Sequence, residues 1–303
     1  MSELIELWGK PAPGDCLIAG WQQWADAGEV SSGLLEYLIR HTQAKRVGQL
    51  RPAGYYLFQV PGAHHFLRPV VKLKEGHRQH METERNDLFW SGDNSQGFYL
   101  FLGQEPHLNA EVYARAFFDA VEALGVKTVA AVAGVYGAVP HDKDRNISCV
   151  YSLLEMKEEL ARYAVRFSDY EGGSTISMYL ADKAEPRGIE FFRFCAFVPS
   201  FDFSQLSAMA PILAIEQDHK AWYDILVRLS HMFDLDLDLS DLQRQSEKLI
   251  AAWDKKIEQM ARTMPHLSVR DYMEKVNDEF TEMSFEPLSD VWTEALGKLL
   301  DEI

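Results

Sequence analysis

The sequence predicts an α/β fold in which a parallel or mixed sheet lies between layers of helices. Short apolar runs alternate with longer amphipathic segments as far as about residue 233. One run, Lys127 to Ala133, is mostly small and apolar, which is typical of a strand covered on both faces. Buried strands that alternate with helices favour a sheet enclosed by helix layers.

The elements of the first half follow from apolar spacing. Strands are expected at three further apolar runs: residues 15–19, 45–50 and 97–102. Between the first two of these runs, apolar residues from Val30 to Leu38 recur at helical spacing. A second helix is expected from Val112 to Leu124, and Gly125 ends it.

The second half continues the alternation. Two strands are expected at residues 147–151 and 191–198. Three helices are expected at about 153–163, 174–184 and 210–233. We therefore predict a core domain at residues 1–235.

Residues 54–92 interrupt this pattern. Short strand-like runs at 55–58, 70–73 and 87–90 are separated by proline, glycine and charged residues. We predict that 54–92 is a β-rich excursion from the main sheet. The polar stretch with His77 and His80 has spacing that would suit zinc on a helix, but its place in this excursion favours a solvated surface loop.

The sequence after residue 235 predicts a helical C-terminal extension at 236–303. Ser240 and Gln243 have the spacing of a capping box at a helix start. Pro265 breaks the first helix, and a second is expected near 268–280. A last apolar stripe runs from Trp292 to Ile303.

Composition excludes several classes of protein. The formal net charge of −16 disfavours binding to nucleic acid or to an anionic membrane surface. Three scattered cysteines suit a reducing compartment, and the acidic N-terminal residues do not resemble a signal peptide, so we expect a cytoplasmic protein. No Cys-x-x-Cys pair or Walker loop occurs, and we predict no metal and no cofactor.

Three loops that follow predicted strands carry the residues best suited to a site. Loops at the carboxyl ends of strands in an open α/β sheet converge on one crevice. The candidate crevice residues are Trp24, Asp26, Gly28, Glu105, Pro106 and His141. Two carboxylates with a histidine can perform acid–base chemistry. The alternative is that Asp26 caps a helix, Glu105 is a turn carboxylate and His141 lies on the surface.

The same loops carry a resemblance to a known family. The chain resembles the bacterial and archaeal branch of the proteasome assembly chaperone 2 family over roughly residues 14–240. The matching segments, in order, are Gly20-Trp21, Asp26-Ala27-Gly28, Tyr37-Leu38, Arg68-Pro69, Gly103-Gln104-Glu105-Pro106, Val139-Pro140-His141, Tyr170-Glu171-Gly172 and Val198-Pro199. Gln104 stands where the family's Gly-Pro-Glu-Pro turn has its first proline, and Ser200-Phe201 where His-Tyr is common.

The resemblance implies a three-layer αβα core like that of purine nucleoside phosphorylases and peptidyl hydrolases, often assembled as a trimer. It implies a non-enzymatic, self-associating protein with an assembly-chaperone-like or protein-binding role. The second hypothesis is a small-molecule-binding protein or an enzyme, a hydrolase or transferase acting on a nucleoside-like or amide substrate in the crevice.

Aromatic residues supply a separate reason to expect a homo-oligomer. They are concentrated in and around the excursion: Trp21, Trp24, Tyr55, Tyr56, Phe58, Phe66, Phe89 and Trp90. Subunit interfaces are enriched in such side chains. The alternative is a local core beneath the excursion.

Overall fold

The structure, a computed structural model, describes residues 4–9, 12–51, 54–58, 68–81, 84–93, 96–203 and 212–285. The strands in these ranges are β1 (Ile5–Leu7), β2 (Cys16–Gln22), β3 (Lys45–Leu50), β4 (Val71–Lys74), β5 (His77–Met81), β6 (Asn86–Gly92), β7 (Gly97–Gln104), β8 (Thr128–Gly137), β9 (Ile147–Tyr151), β10 (Val165–Phe167), β11 (Glu190–Asp202) and β12 (Ile212–Ala214). The α-helices are α1 (Gly33–His41), α2 (Ala110–Leu124), α3 (Met156–Ala161), α4 (Ile176–Ala184), α5 (His219–Phe233), α6 (Ser240–Thr263) and α7 (Val269–Glu279).

One mixed sheet organises the described chain. Its strand order is β1-β3-β6-β7-β2-β8-β11-β9-β10, and β12 pairs with the end of β11. The four central strands β7, β2, β8 and β11 are parallel, whereas β6 and β9 run antiparallel to the central strands beside them. The parallel or mixed sheet predicted from sequence is confirmed, and the carboxyl ends of its central strands meet at one edge.

Helices cover both faces of this sheet. Ile18 of β2 lies in an apolar cluster with residues of α1, α5, α6 and α7. Its neighbours Leu17 and Ala19 point to the opposite face, where they pack with residues of α2 and α4. The fold therefore has three layers with helices outside, and the C-terminal helices join the first cluster through Trp253 and Met273. None of the described helices is long and apolar enough to cross a membrane.

The predicted excursion at 54–92 is too large. β6 pairs with β3 and β7 inside the main sheet, and its Leu88 is buried in that sheet's core. Residues 55–58 form turns and no strand. Among the described residues of this region, only the hairpin of β4 and β5 stands apart, as a separate two-stranded sheet. Short apolar runs show strand propensity but do not show which strand each will pair with.

Two expectations near the C-terminal half are also corrected. Residues 212–214 form β12, and the helix predicted from 210 begins only at His219, because Asp218 caps it. The helix predicted at Ser240 begins there, but Asp238 accepts a hydrogen bond from the Ser240 N–H (3.0 Å) and no capping box forms. The stripe from Trp292 to Ile303 lies outside the described residues, and the division at 235/236 stays a prediction.

A buried ion pair joins the sheet to α5. Arg145, in the segment between β8 and β9, donates to both carboxylate oxygens of Asp218, at 2.8 and 3.2 Å. The two side chains are 1% and 0% exposed. Asp218 also accepts from the N–H groups of Lys220 and Ala221 in the first turn of α5. Its carboxylate is thus held by four donors, which offsets the cost of removing it from water.

Replacement of Arg145 by methionine is expected to lower the free energy of unfolding by about 3–5 kcal/mol, because it leaves the Asp218 charge buried without its partner. Chemical denaturation at neutral pH measures the loss. Arg162→Met is the matched control, since Arg162 pairs with Glu159 at 2.8 Å on the surface, and its loss should stay within about 1 kcal/mol. Equal effects of the two substitutions would contradict the role given to the buried pair.

Candidate functional site

The loops that follow β2 and β7 meet at the carboxyl edge of the sheet. The two strands are adjacent and parallel, so their ends lie side by side. At these ends, the backbone N–H of Glu105 donates to the backbone carbonyl oxygen of Gln22 at 3.3 Å. The side-chain amide of Gln104 donates to the side-chain oxygen of Gln22, also at 3.3 Å. Parallel pairing in the sheet therefore fixes where these two loops begin.

An open cavity of about 550 Å³ lies between these loops and the segment before α4. Its lining residues are Gln23, Trp24, Glu105, Pro106, His107, Gly173 and Ser174. The Trp24 side chain is 74% exposed at its margin. Three of the six residues predicted for the crevice, Trp24, Glu105 and Pro106, are brought together here.

Glu105 points to the start of α4. One carboxylate oxygen accepts the N–H of Ile176, the first residue of that helix, at 2.7 Å. Burial raises the pKa of this carboxyl above its usual range, while hydrogen bonds from the Ile176 and Trp24 backbones act to lower it. Glu105 lines the cavity and at the same time satisfies an N–H that the helix cannot bond internally.

Asp26 is outside the cavity lining and holds the chain before α1. Its Oδ1 accepts the N–H groups of Ser31 (2.8 Å) and Ser32 (2.9 Å), and its Oδ2 accepts the Ser32 hydroxyl (2.6 Å). Burial is the main cause that raises the pKa of Asp26. Since α1 and α4 pack on opposite faces of the sheet, Asp26 and Glu105 each support a helix of a different layer.

Gly28 also lies outside the cavity lining and forms a close contact with α5. Its φ of +64° is in the left-handed region, and an added Cβ would lie 2.8 Å from the Asp218 Cβ. The Gly28 carbonyl oxygen accepts the Asp218 N–H (2.9 Å) and the Trp222 indole N–H (3.0 Å). A bare glycine is needed because the two chain segments touch at this point.

His141 faces the C-terminal helices instead of the cavity. It is buried, its Nε2 lies 2.9 Å from a carboxylate oxygen of Asp254 in α6, and its ring packs edge-on against Phe201. The expectation of a surface histidine is wrong. Asp26, Glu105 and His141 do not line one common cavity among the described residues, because the loop after β8 is drawn toward α5 and α6.

Sequence reasoning missed the charged residues that hold this third loop. Arg145 donates its N–H to Asp224 at 2.8 Å and its Nη1 to the Lys143 carbonyl at 2.7 Å. Lys220 contacts the carboxylates of both Asp144 and Asp224. Arg145 and Asp224 are 79 positions apart in the chain, and Lys220 and Asp144 are 76 apart, so no local motif could identify these two contacts. In the described part of the chain, no group of three or more histidine, cysteine or acidic side chains could hold a metal.

Several predicted interface aromatics belong instead to the protein's own core. Trp21 and Tyr55 are 3% and 0% exposed. The Trp21 indole donates to the Tyr113 hydroxyl at 2.8 Å, which donates to Asn86 at 2.9 Å. Trp24 and Phe58 are exposed, and Phe66 lies outside the described residues. The local core therefore explains the buried part of this group.

The pKa of Asp26 predicts a pH-dependent difference between the wild type and Asp26→Asn. A carboxyl with a raised pKa holds more protons folded than unfolded, so its contribution to stability falls as pH rises from the ordinary value of 3.8 toward the folded pKa. The asparagine variant should therefore gain stability relative to the wild type over that window. Denaturation at a series of pH values measures the difference.

The exposed Asp142→Asn variant serves as the control for loss of a carboxylate. A stability difference between wild type and Asp26→Asn that is constant with pH, or that moves toward the wild type as pH rises, would contradict the assignment.

Known proteins share this architecture. A protein of unknown function from Corynebacterium glutamicum is 20% identical, with a TM-score of 0.72 over 91% of this chain and 97% of that one. A Mycobacterium tuberculosis proteasome-assembly chaperone homologue is 20% identical, with a TM-score of 0.66 over 80% and 94% of the two chains. A PAC2 family protein from Streptomyces avermitilis is 23% identical, with a TM-score of 0.66 over 85% and 98%.

At these identities the similarity shows a common fold. No curated protein sequence matches the chain. A family model described as the PAC2 family matches residues 20–260. This span covers most of the chain and includes all the candidate crevice residues, and the resemblance predicted from the sequence is confirmed: the chain belongs to the PAC2 family.

Proposed function

We propose that this chain is a non-enzymatic, self-associating cytoplasmic protein that binds other proteins in an assembly-chaperone-like role. The observation that carries the proposal is the exposed Trp24 beside a cavity whose one carboxylate, Glu105, is occupied as a helix cap. The cavity offers an exposed aromatic side chain, and both ring nitrogens of its histidine, His107, are also engaged, with the Leu57 N–H at 3.2 Å and with Gln23 Oε1 at 3.1 Å.

The occupied carboxylates argue for a binding surface. Asp26 accepts three hydrogen bonds and Glu105 accepts the first N–H of α4. Protonation of either carboxylate would weaken the hydrogen bonds that it accepts and so loosen the chain segment that it holds. Retention of both bonds suits a rigid site that recognises its partner by shape.

Trp24 has the properties of an interface anchor. Tryptophan is enriched among residues that dominate binding energy, and such residues insert into pockets on the partner. Trp24 stands beside Pro106, and Leu108 on the same loop is 44% exposed. Contact with a protein partner would remove the apolar surface of these side chains from water, which favours binding.

The relatives suggest the type of partner. The Mycobacterium tuberculosis structure is that of a proteasome-assembly chaperone homologue. We extend this role to the present chain as binding to subunits of a larger protein assembly. The family resemblance also supports a homotrimer as the self-associated form.

A small-molecule-binding protein or an enzyme is the second candidate. A cavity of about 550 Å³ falls within the size range of small-ligand sites. Burial raises the pKa of Glu105, as is common for acids that take part in catalysis. This alternative gains support only if a small molecule binds in the cavity and no protein partner contacts Trp24.

Site-specific photo-crosslinking tests the binding role. A photoreactive phenylalanine analogue at position 24, introduced in cells of the source organism, should form crosslinks to a defined set of polypeptides that mass spectrometry identifies as subunits of one assembly. The matched control is the same analogue at Leu154, which is 81% exposed elsewhere on the surface and should not capture that set. The same products at both positions, or none at position 24, would contradict the proposed surface.

Light scattering coupled to size exclusion tests self-association. We expect a mass near three times that of the 34.6 kDa chain at micromolar concentration. A single species at the monomer mass across that range would overturn the self-association.

A further inference from the structure

The hairpin of β4 and β5 has no partner in the described chain. Every residue of both strands is exposed, and the two strands pair only with each other. An isolated two-stranded hairpin is at best marginally stable in water. The hairpin, here called the arm (residues 71–81), therefore has a surface suited to another molecule.

One face of the arm is apolar where its strands begin and end. Val71 pairs with Met81, and Leu73, on the same side of its strand, pairs with Arg78 after a register shift between Lys72 and Leu73. Val71, Met81 and Leu73 are 45%, 41% and 58% exposed, and the adjacent Val70 is 63% exposed. A contiguous group of this kind on a projecting element is a feature of interaction surfaces.

The arm also carries positive charge in an acidic protein. Its three basic side chains, Lys72, Lys74 and Arg78, exceed its one acid, Glu75, while the whole chain has a formal net charge of −16. Lys72 and Lys74 pair across the hairpin with His80 and His77 on the face opposite Val71. The chain itself supplies an extensive surface of opposite charge.

A cleft of about 500 Å³ has the complementary character. One wall is the extended segment after α5, in which the exposed Asp234, Asp236 and Asp238 alternate with the half-buried Leu235 and Leu237. Phe98 and Phe233 add apolar lining. The carboxylates of the cleft are opposite in charge to the lysines of the arm. The apolar side chains of the cleft can pack against the Val71 face of the arm.

The arm and the cleft lie at opposite edges of the sheet. The arm leads into β6 at Asn86, which pairs with Gly103 near the carboxyl end of β7. The cleft is lined by Gly92 and Gly97, at the other end of these strands. Seven residues of β6 span about 20 Å, and this length separates the base of the arm from the cleft of the same copy.

We propose that the arm of one copy docks in the acidic cleft of a second copy. The inference rests on the self-association proposed above and identifies the surfaces that would produce it. Because two different surfaces meet, the contact is head-to-tail, and repetition closes a ring when the rotation between copies permits. A trimer is one such ring.

Charge reversal with rescue tests the docking. Sedimentation analysis of the full chain should show that Lys72→Glu with Lys74→Glu weakens association about tenfold or more, as expected for close interfacial charges. Asp234→Asn with Asp236→Lys should weaken it similarly, and asparagine is chosen because Asp234 has a φ of +50°. The four substitutions together should recover most of the affinity.

Lys248→Glu with Lys255→Glu on α6, where both lysines are exposed, is the control and should associate like the wild type. Circular dichroism should be unchanged in all variants, since the substituted side chains are exposed. Raising the salt from about 0.1 M to 1 M should weaken the wild type more than the arm variant.

The outcomes separate the two proposals. A monomeric wild type would overturn self-association and the docking with it. Association of the arm variant at wild-type strength would overturn the docking and leave self-association intact. Weakened association without rescue by the cleft substitutions would show that the arm docks elsewhere and would overturn the assigned cleft.

Discussion

The Arg145–Asp218 ion pair is the constraint on which the carboxyl edge of the sheet depends. Asp218 binds the guanidinium of Arg145, caps α5, and donates its own N–H to Gly28. One residue thus connects the segment before β9, the first turn of α5 and the loop after β2. Because each charge is buried, neither can be satisfied by water if the other moves. The positions of three chain segments are therefore coupled.

This coupling explains why the predicted crevice divides. Arg145 draws the loop after β8 toward α5, and His141 consequently contacts Asp254 in α6. The loop after β7 is held on the other side, where Glu105 binds the start of α4. The loops after β2 and β7 are therefore used partly to hold helices, and the surface around Trp24 is what they present to solvent. Loops with such structural duties suit recognition by a rigid surface.

Much of the fold could be predicted because it is encoded locally. β3 and β9 coincide with the predicted runs at 45–50 and 147–151, and Gly125 ends α2 in the left-handed conformation. Apolar periodicity indicates which side of an element is buried, and a glycine can indicate a position where the backbone adopts a positive φ. Neither depends on the distant parts of the chain.

The remainder depends on distant pairing. The place of β6 in the main sheet is set by β3 and β7, and the cap at Asp218 is set together with Arg145, 73 positions away. For the site, residue type indicated a local hydrogen-bonding role for Asp26, whose carboxylate accepts the N–H groups of Ser31 and Ser32 just before α1 but does not cap that helix. It could not indicate the direction of the His141 loop, because that depends on a buried charge pair with no local signature.

Net charge gives the proposed association its selectivity. A strongly acidic surface makes most random encounters between copies repulsive, although salt screens exposed charges beyond about 8 Å. A basic arm removes this repulsion in one geometry only, that in which it meets carboxylates. Charge then excludes wrong contacts, while the apolar side chains Val71, Leu73 and Met81 supply the burial that favours the right one. The isolation of the arm and the acidity of the chain, unrelated features when taken separately, are on this proposal parts of one mechanism of assembly.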